Sequence, residues 1–304
     1  MAESILDYHN TNYAESVPLV EEFITGQPIL NIVPAETNII DHVAVFSRDE
    51  GLQGDSGRVV NNTTITAAED DDFSIIKKEL IIRDRKFFLD NKILNSTNGN
   101  NVKNLKLKKA LQALGASANY RFINGTEAAD DFRGLNVIAQ DNSMTSSYGT
   151  AVSTAATAQT CLDYLEDAMS SILYRATHLL IGSDGFKVLR KIATYSQQVT
   201  VSVQDRVVGK AIGEIILGAK TLPIVWAGKV GYGSTTINNE VIPLSTTTTD
   251  FYLVDFSENG VTFALELAPT KAIEGETGIS YVLEQYQMLC DKSAYCVYKH
   301  TQTV

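Results

Sequence analysis

The chain is short of the features that mark most recognisable chemistry. No window approaches 18 consecutive apolar residues, so no transmembrane helix is expected. The stretch from Met1 to Tyr13 is polar and acidic, without a basic-then-apolar leader, which makes the cytosol the default site of synthesis. Basic residues are outnumbered: 25 Lys and Arg face 36 Asp and Glu, a formal net charge of −11. Phosphate backbones are repelled by such a field unless a local basic patch overrides it. No basic stripe interleaved with aromatics is present. A dedicated nucleic-acid binder is therefore disfavoured, although an acidic wall can enclose nucleic acid without adhering to it.

Cysteine is scarce as well. Cys161 falls on a helical apolar face and reads as a small buried hydrophobe. Cys290 and Cys296 lie in what reads as extended chain, roughly 20 Å apart at about 3.3 Å per residue. A disulfide needs Cα atoms within about 7 Å, so reduced thiols are expected unless the chain folds back at Asp291-Lys292-Ser293. His9, His42, His178 and His300 show no ligand-like spacing, which leaves no metal site to assign. Gly209-Lys210 and Gly228-Lys229 lack the earlier glycine and following Ser/Thr of a phosphate-binding loop. Gly231-Tyr232-Gly233 lacks the third glycine of a dinucleotide fingerprint. Gly182-Ser183-Asp184-Gly185 has the wrong spacing for a nucleophile elbow and reads as a helix cap. Glu69-Asp70-Asp71-Asp72 lacks the ligand spacing and glycine of a calcium loop. No catalytic, cofactor-binding or metal-binding residue is assigned, and an enzyme is the weakest class.

What remains is a globular chain of 304 residues, 44% apolar, enough for one large or two ordinary domains. Residues 1–36 form an arm cut by Pro18, Pro28 and Pro34, with much to bury (Val17, Leu19, Phe23, Ile29, Leu30, Ile32). It is either an irregular start to the core or a strap on another surface. From Asn38 to Ala67 the pattern turns to β, with strands around Ile39–Val45 and Val59–Thr66. Their connection, Asp49 to Gly57, is nine residues long and exceeds the usual hairpin loop. A long projecting hairpin cannot bury both faces in its own domain, so a partner is expected there.

Phe73–Ile82 reads as strand, and Arg83–Asn95 is ambiguous between helix and strand. Asn95–Asn101 is a loop that supplies an N-cap. A long helix then runs from Val102 to about Phe122, with Leu107, Leu111, Leu114, Ala118 and Phe122 on one face. About 21 residues make it roughly 31 Å long. Lys103, Lys106, Lys108 and Lys109 crowd its start, where cations cost about 0.3–1 kcal/mol each. They are either a solvated face or contacts for an acidic surface of a neighbouring chain.

An α/β region follows: helices over Thr157–Tyr174 and Ser183–Ala193, with Ser183 as cap, and strands at Thr177–Ile181, Ile212–Leu217 and Leu222–Trp226. Tyr195–Arg206 reads as loop and edge, and Thr235–Asp250 as an exposed excursion. Phe251–Phe256 and Val261–Leu267 flank Ser257-Glu258-Asn259-Gly260, a strong hairpin signal. Gly278–Cys290 is a long alternating strand, continued by Ala294–Tyr298. No internal repeat of fixed period is present.

The order of these elements resembles the major capsid proteins of tailed bacteriophages, which have the Hong Kong ninety-seven capsid fold. The segment Ala118-Asn119-Tyr120-Arg121-Phe122-Ile123-Asn124-Gly125-Thr126, followed by Phe132-Arg133-Gly134-Leu135, looks like the end of that family's spine helix and its glycine-rich continuation. The segments Phe251–Phe256, Gly260-Val261 and Gly278–Tyr298 look like its closing hairpin and returning strand. The likeness covers nearly the whole chain, with loose motifs, and encapsulin nanocompartment shells share the fold.

The resemblance implies an α+β fold in five parts. Residues 1–36 would be an N-terminal arm and 37–70 an extended loop over a neighbouring subunit. Residues 71–135 and 276–304 would form a peripheral domain with the spine helix, and 136–275 an axial domain. It implies a homo-oligomer of hexamers and pentamers that encloses double-stranded DNA without sequence-specific binding. Portal, scaffold and decoration proteins would be further partners, and no cofactor or membrane is implied. The implied location is the virion, with host cytoplasm during assembly. Arg48, Asp49, Glu50, Asp55, Arg58, Lys103, Lys106 and Lys108 are the candidate inter-subunit contacts. Some members cross-link through a lysine in the extended loop; Phe46–Thr66 holds Arg48 and Arg58 but no lysine, so no such cross-link is expected. The long charged helical leader of members with a fused scaffold is also absent, so any scaffold is expected to be separate or removed. An encapsulin-like cargo shell and, behind it, a soluble enzyme of unrecognised class are the alternatives.

Overall fold

The computed structural model describes residues 4–12, 17–50, 73–128, 131–201, 211–229, 240–243, 247–268 and 270–304. The fold is α+β, as expected. Helices α1 (Ile5–Asn12) and α2 (Val17–Ile24) open the chain. They are followed by strands β1 (Ile39–Ile40) and β2 (Val43–Asp49) in a tight hairpin. Its turn residues, Asp41 and His42, have φ of 49° and 62°, the left-handed pair whose twist matches the flanking strands. Strand β3 (Phe73–Glu79) lies antiparallel to all of β2. Of the expected loop Asp49–Gly57, Asp49 belongs to β2; the part from Gly51 on, with Asp55, and the expected strand Val59–Thr66 lie outside the described residues, as do Arg58 and Glu69–Asp72.

The ambiguous stretch resolves as strand β4 (Ile81–Asp90) and a single helical turn α3 (Asn91–Leu94), capped by Asp90 accepting the Lys92 N–H at 2.7 Å. The long helix α4 (Gly99–Asn124) has 26 residues, about 39 Å. It starts three residues earlier than expected, and its N-cap, Asn98, makes no side-chain cap. Helix α5 (Leu135–Asp141), β5 (Thr145–Tyr148), α6 (Ala155–Ser171), β6 (His178–Ile181) and α7 (Ser183–Tyr195) follow. The remaining strands are β7 (Val199–Val201), β8 (Gly213–Leu217), β9 (Lys220–Trp226), β10 (Thr248–Val254), β11 (Val261–Leu267), β12 (Lys271–Gly275), β13 (Gly278–Asp291) and β14 (Val297–Thr303). Ser183 is not the cap of α7; Gly182 takes that position.

Seven strands form the larger sheet in the order β5-β14-β10-β6-β9-β8-β7. In the smaller sheet, β13 is central, with β4 along one side and β11 then β12 along the other. Period-2 alternation gives the larger sheet two buried faces. Leu180, Val225, Tyr252, Val254 and Val297 point into a core shared with α4, the arm and the smaller sheet. Leu179, Ile181, Ile224, Phe251, Leu253 and Tyr298 point into a second core under α6 and α7.

Several expectations are corrected by this topology. The runs on either side of Asn259-Gly260 are not a hairpin: the turn forms, with Gly260 N–H to Ser257 O at 3.1 Å, but β10 pairs with β14 and β6 while β11 pairs with β13. Turn residues decide where the chain reverses; β10 is paired on both sides, to β14 and β6, and β11 pairs along its full length with β13. The expected division at 275/276 likewise does not follow the sheets. Strands β11 and β12 join the smaller sheet, and β14 leaves it for the larger one. Residues 1–36 are no detached strap, since Ile5, Val20, Phe23, Ile29, Leu30 and Val33 are buried in the first core. In the presumed exposed excursion, Glu240, Val241, Ile242 and Thr249 are buried. All three cysteines are buried and free; burial pushes the Cys161 thiol up to about 12 and the Cys290 thiol well above its ordinary value.

Candidate functional site

The end of α4 is shaped by two glycines. Gly125 donates to Arg121 O at 2.7 Å, and Gly134 donates to Gly125 O at 3.0 Å, so the chain closes on itself before α5. A Cβ on Gly125 would stand 2.1 Å from Phe132 O, and one on Gly134 would stand 2.5 Å from Gly125 N. Close backbone approach, not a left-handed φ, is what requires glycine here. Asn124 adds a bond to Val241 O at 2.7 Å.

One turn earlier, Asn119 is wholly buried on the apolar face of α4. Its Oδ1 accepts the Ile29 N–H at 3.2 Å, and its Nδ2 donates to Ala227 O at 2.9 Å. This side chain ties arm, long helix and larger sheet together. Sequence reading missed it, although a polar residue between Ala118 and Phe122 on a buried stripe was a visible signal.

The base of the β2–β3 pair is held by a charge hub. Asp291, 1% exposed at the end of β13, faces Arg48 Nε at 3.4 Å and Arg133 Nη1 at 3.3 Å. Arg48 also reaches Glu50 (3.2 Å) and donates to Asn142 Oδ1 (2.9 Å), and Arg133 reaches Asp141 (2.5 Å). Burial holds the Asp291 carboxyl above its ordinary range, against the opposing pull of the two guanidiniums. Asp49 binds Arg175 Nη1 at 2.9 Å, donates its N–H to Lys292 O and accepts from Ala294 N–H. Of the expected contact residues, Arg48, Asp49 and Glu50 are thus engaged within the chain.

Three of the four lysines at the start of α4 also find partners at home. Lys108 pairs with Glu22 at 2.6 Å, Lys106 donates to Phe88 O at 2.7 Å, and Lys103 sits over the Tyr281 ring at 4.7 Å. These contacts offset the unfavourable placement at the helix start.

A cleft of about 730 Å³ opens between β2 and the turn after β10. Glu36, Asp49, Asp255 and Glu258 line it with Arg175 and Lys292. Both cations are occupied, Arg175 by Asp49 and Lys292 by Glu36 at 2.6 Å. Among the described residues no group of three His, Cys, Asp or Glu side chains is placed to hold a metal ion. The histidines are dispersed: His9 bonds Leu265 O, His42 stacks on Tyr286 and meets Glu266, His178 packs on Phe256, and His300 lies against Tyr164. Ser183 is bonded through N–H and Oγ to buried Glu240, which places a carboxylate at the start of α7. Convergence of nucleophile, base and open cavity is not found among the described residues.

No protein-family profile matches the chain, and no curated protein matches it. Solved structures do. The holo-SrpI encapsulin complex from Synechococcus elongatus is similar with a TM-score of 0.60 and 12% identity, over 90% of this chain and 85% of that one. The capsid of a native GTA particle gives 0.57 and 14%, over 91% and 89%. A structure of Mycobacterium phage Adephagia gives 0.52 and 10%, over 96% and 98%. At such identities the likeness is one of fold: the chain has the Hong Kong ninety-seven capsid fold.

Proposed function

We propose that the chain is the major capsid protein of a tailed bacteriophage, a structural subunit and not an enzyme. Copies of it assemble as pentamers and hexamers into an icosahedral shell around double-stranded DNA. The observation that carries this reading is a likeness extending over about nine-tenths of the chain and of the capsid subunits it matches. Two physical features agree with it. Ile82, Phe88 and Ile273 stand 58%, 45% and 58% exposed on one face of the smaller sheet, a row that a neighbouring subunit would cover. The net charge of −11 suits an inner wall that does not adhere to packed DNA.

In this reading the smaller sheet with α4 is the peripheral part and the larger sheet with α6 and α7 the axial part. Arg48 and Asp49 set the base of the extended loop, while Glu50, Asp55, Arg58 and the outer sides of Lys103, Lys106 and Lys108 meet neighbours. Portal, scaffold and decoration proteins are its other partners, and the virion is its location.

The encapsulin match at TM-score 0.60 favours a second reading, a shell around a protein cargo. Negative-stain microscopy of the purified protein is expected to show closed shells or ringed capsomers; a persistent monomer at high concentration overturns both readings. Nuclease-protected DNA inside the particles decides for the first, and an enclosed protein for the second.

A further inference from the structure

Helices α6 and α7 pack side by side over one face of the larger sheet, and their outer faces carry opposite charge. Helix α6 bears Asp163, Glu166 and Asp167 and has no Lys or Arg in its 17 residues. On α7, Lys187, Arg190 and Lys191 are exposed at i, i+3 and i+4. The one carboxylate of α7, Asp184, is buried and bound by Lys187 at 2.6 Å.

Apart from Lys187, which Asp184 answers, neither stripe serves its own helix. Like charges three and four residues apart repel. Asp167 also stands near the C-terminal end of α6, where the helix dipole disfavours an anion. Nor do the stripes neutralise each other, since no ion pair joins α6 to α7 among the described residues. Glu166 accepts the Gly218 N–H at 3.3 Å and Asp163 accepts from Gln159 at 2.8 Å, but among the described residues no cation answers either.

A ring of identical subunits is built from a heterologous contact, in which two different patches of one chain must complement each other. We propose that the basic stripe of α7 docks on the acidic stripe of α6 in the next copy, closing the capsomer head to tail. This rests on the shell reading and names the surfaces that make the ring. A second copy fits better than enclosed DNA, because the acidic stripe lies beside the basic one and would repel a phosphate backbone. The charges steer and register the contact more than they hold it.

Three variants test the pairing: Arg190→Glu/Lys191→Glu, Asp163→Lys/Asp167→Lys, and the four changes combined. All four sites are exposed, so circular dichroism melting is expected to match the unaltered chain. Particle yield, read by sedimentation and negative-stain microscopy, is expected to fall at least about tenfold in each double variant, since like charges then face each other. The combined variant, with polarity reversed and net charge unchanged, is expected to recover particles. A neutral effect of either double variant, or no recovery in the combined one, overturns the pairing. So does an Arg190→Glu/Lys191→Glu particle of normal yield that has lost DNA, which would assign the stripe to the genome. If the unaltered chain forms neither particles nor rings, the shell reading fails instead.

Discussion

The two faces of the seven-stranded sheet are built differently. The core beneath α6 and α7 draws on residues from Val152 to Tyr298 and is a compact α/β layer. The core on the opposite face gathers Ile5 of the arm, Phe122 of α4, Phe263 of β11 and Val297 of β14, segments from nearly the whole length of the chain. The first is covered by its own helices and shows charge outward. The second leaves the outer face of the smaller sheet partly bare, with Ile82, Phe88 and Ile273 exposed. Under the proposed shell reading both have a use: a self-contained layer that can be turned about an axis, and an open sheet that a neighbour would cover.

The strongest test of whether these cores are one folding unit is Phe122→Ala. Phe122 is fully buried, with ring centroids 6.1 Å from Phe256 and 5.9 Å from Phe263. Its truncation is expected to cost about 3–5 kcal/mol. The single tryptophan, Trp226, packs against the other core. Because β6, β9, β10 and β14 contribute side chains to both cores, Trp226 fluorescence should report the same lowered denaturant midpoint as circular dichroism. An unchanged Trp226 transition would separate the cores.

Asn119→Ala attacks the link between arm, helix and sheet. It leaves the Ile29 N–H and Ala227 C=O without their partner, at a cost of about 2–4 kcal/mol in a urea melt. A loss confined to proteolysis of residues 1–36, with no global change, would mean that the arm is only loosely coupled.

Acid titration samples both faces, His178 on one and His300 on the other. Burial pushes the His178 imidazole down to about 4, and lowers His300 and His9 as well. Between pH 4 and 6.5 the unfolded chain binds the proton that folded His178 refuses. Stability is therefore present above pH 6.5 and lost as pH falls toward 4. Discounted for partial exposure, His178 contributes on the order of 2 kcal/mol to that loss. Asp255 and Asp291, raised by burial, act with the opposite sign. The difference between His178→Gln and the unaltered chain isolates the histidine, and identical acid slopes for the two would remove it as a cause.

The smallest expected effect is on the α4 lysines. Lys108 and Glu22 form a partly exposed pair, so Lys103→Gln/Lys106→Gln/Lys108→Gln together should cost no more than about 1 kcal/mol. A larger drop in assembly yield than in stability assigns them a neighbour; equal losses return them to contacts within the chain.

Much of this was legible in local pattern. The Leu-Ala-Phe stripe of α4 is buried from Leu111 to Phe122, with Leu107 half-buried, and the strands at Ile212–Leu217 and Leu222–Trp226 correspond to β8 and β9. The glycines at 125 and 134 were visible as a motif, but the reason for them, backbone atoms too close to admit a Cβ, was not. The hub of Asp291, Arg48 and Arg133 could not be read, because its members are 158 and 243 residues apart in places.

By itself, then, the sequence determined the long helix and its inward stripe, the helices and strands of the α/β region, and that the chain is acidic and poor in reactive constellations, but not the short helices of the arm. These follow from periodicity and composition, which act over a few residues. Only the tertiary structure decided that β10 and β11 part company at Asn259-Gly260, that the arm is core, and that Arg48 and three of the α4 lysines have partners at home. Pairing is settled by competition between ladders and buried faces far apart in the chain, and no local pattern carries the outcome of that competition.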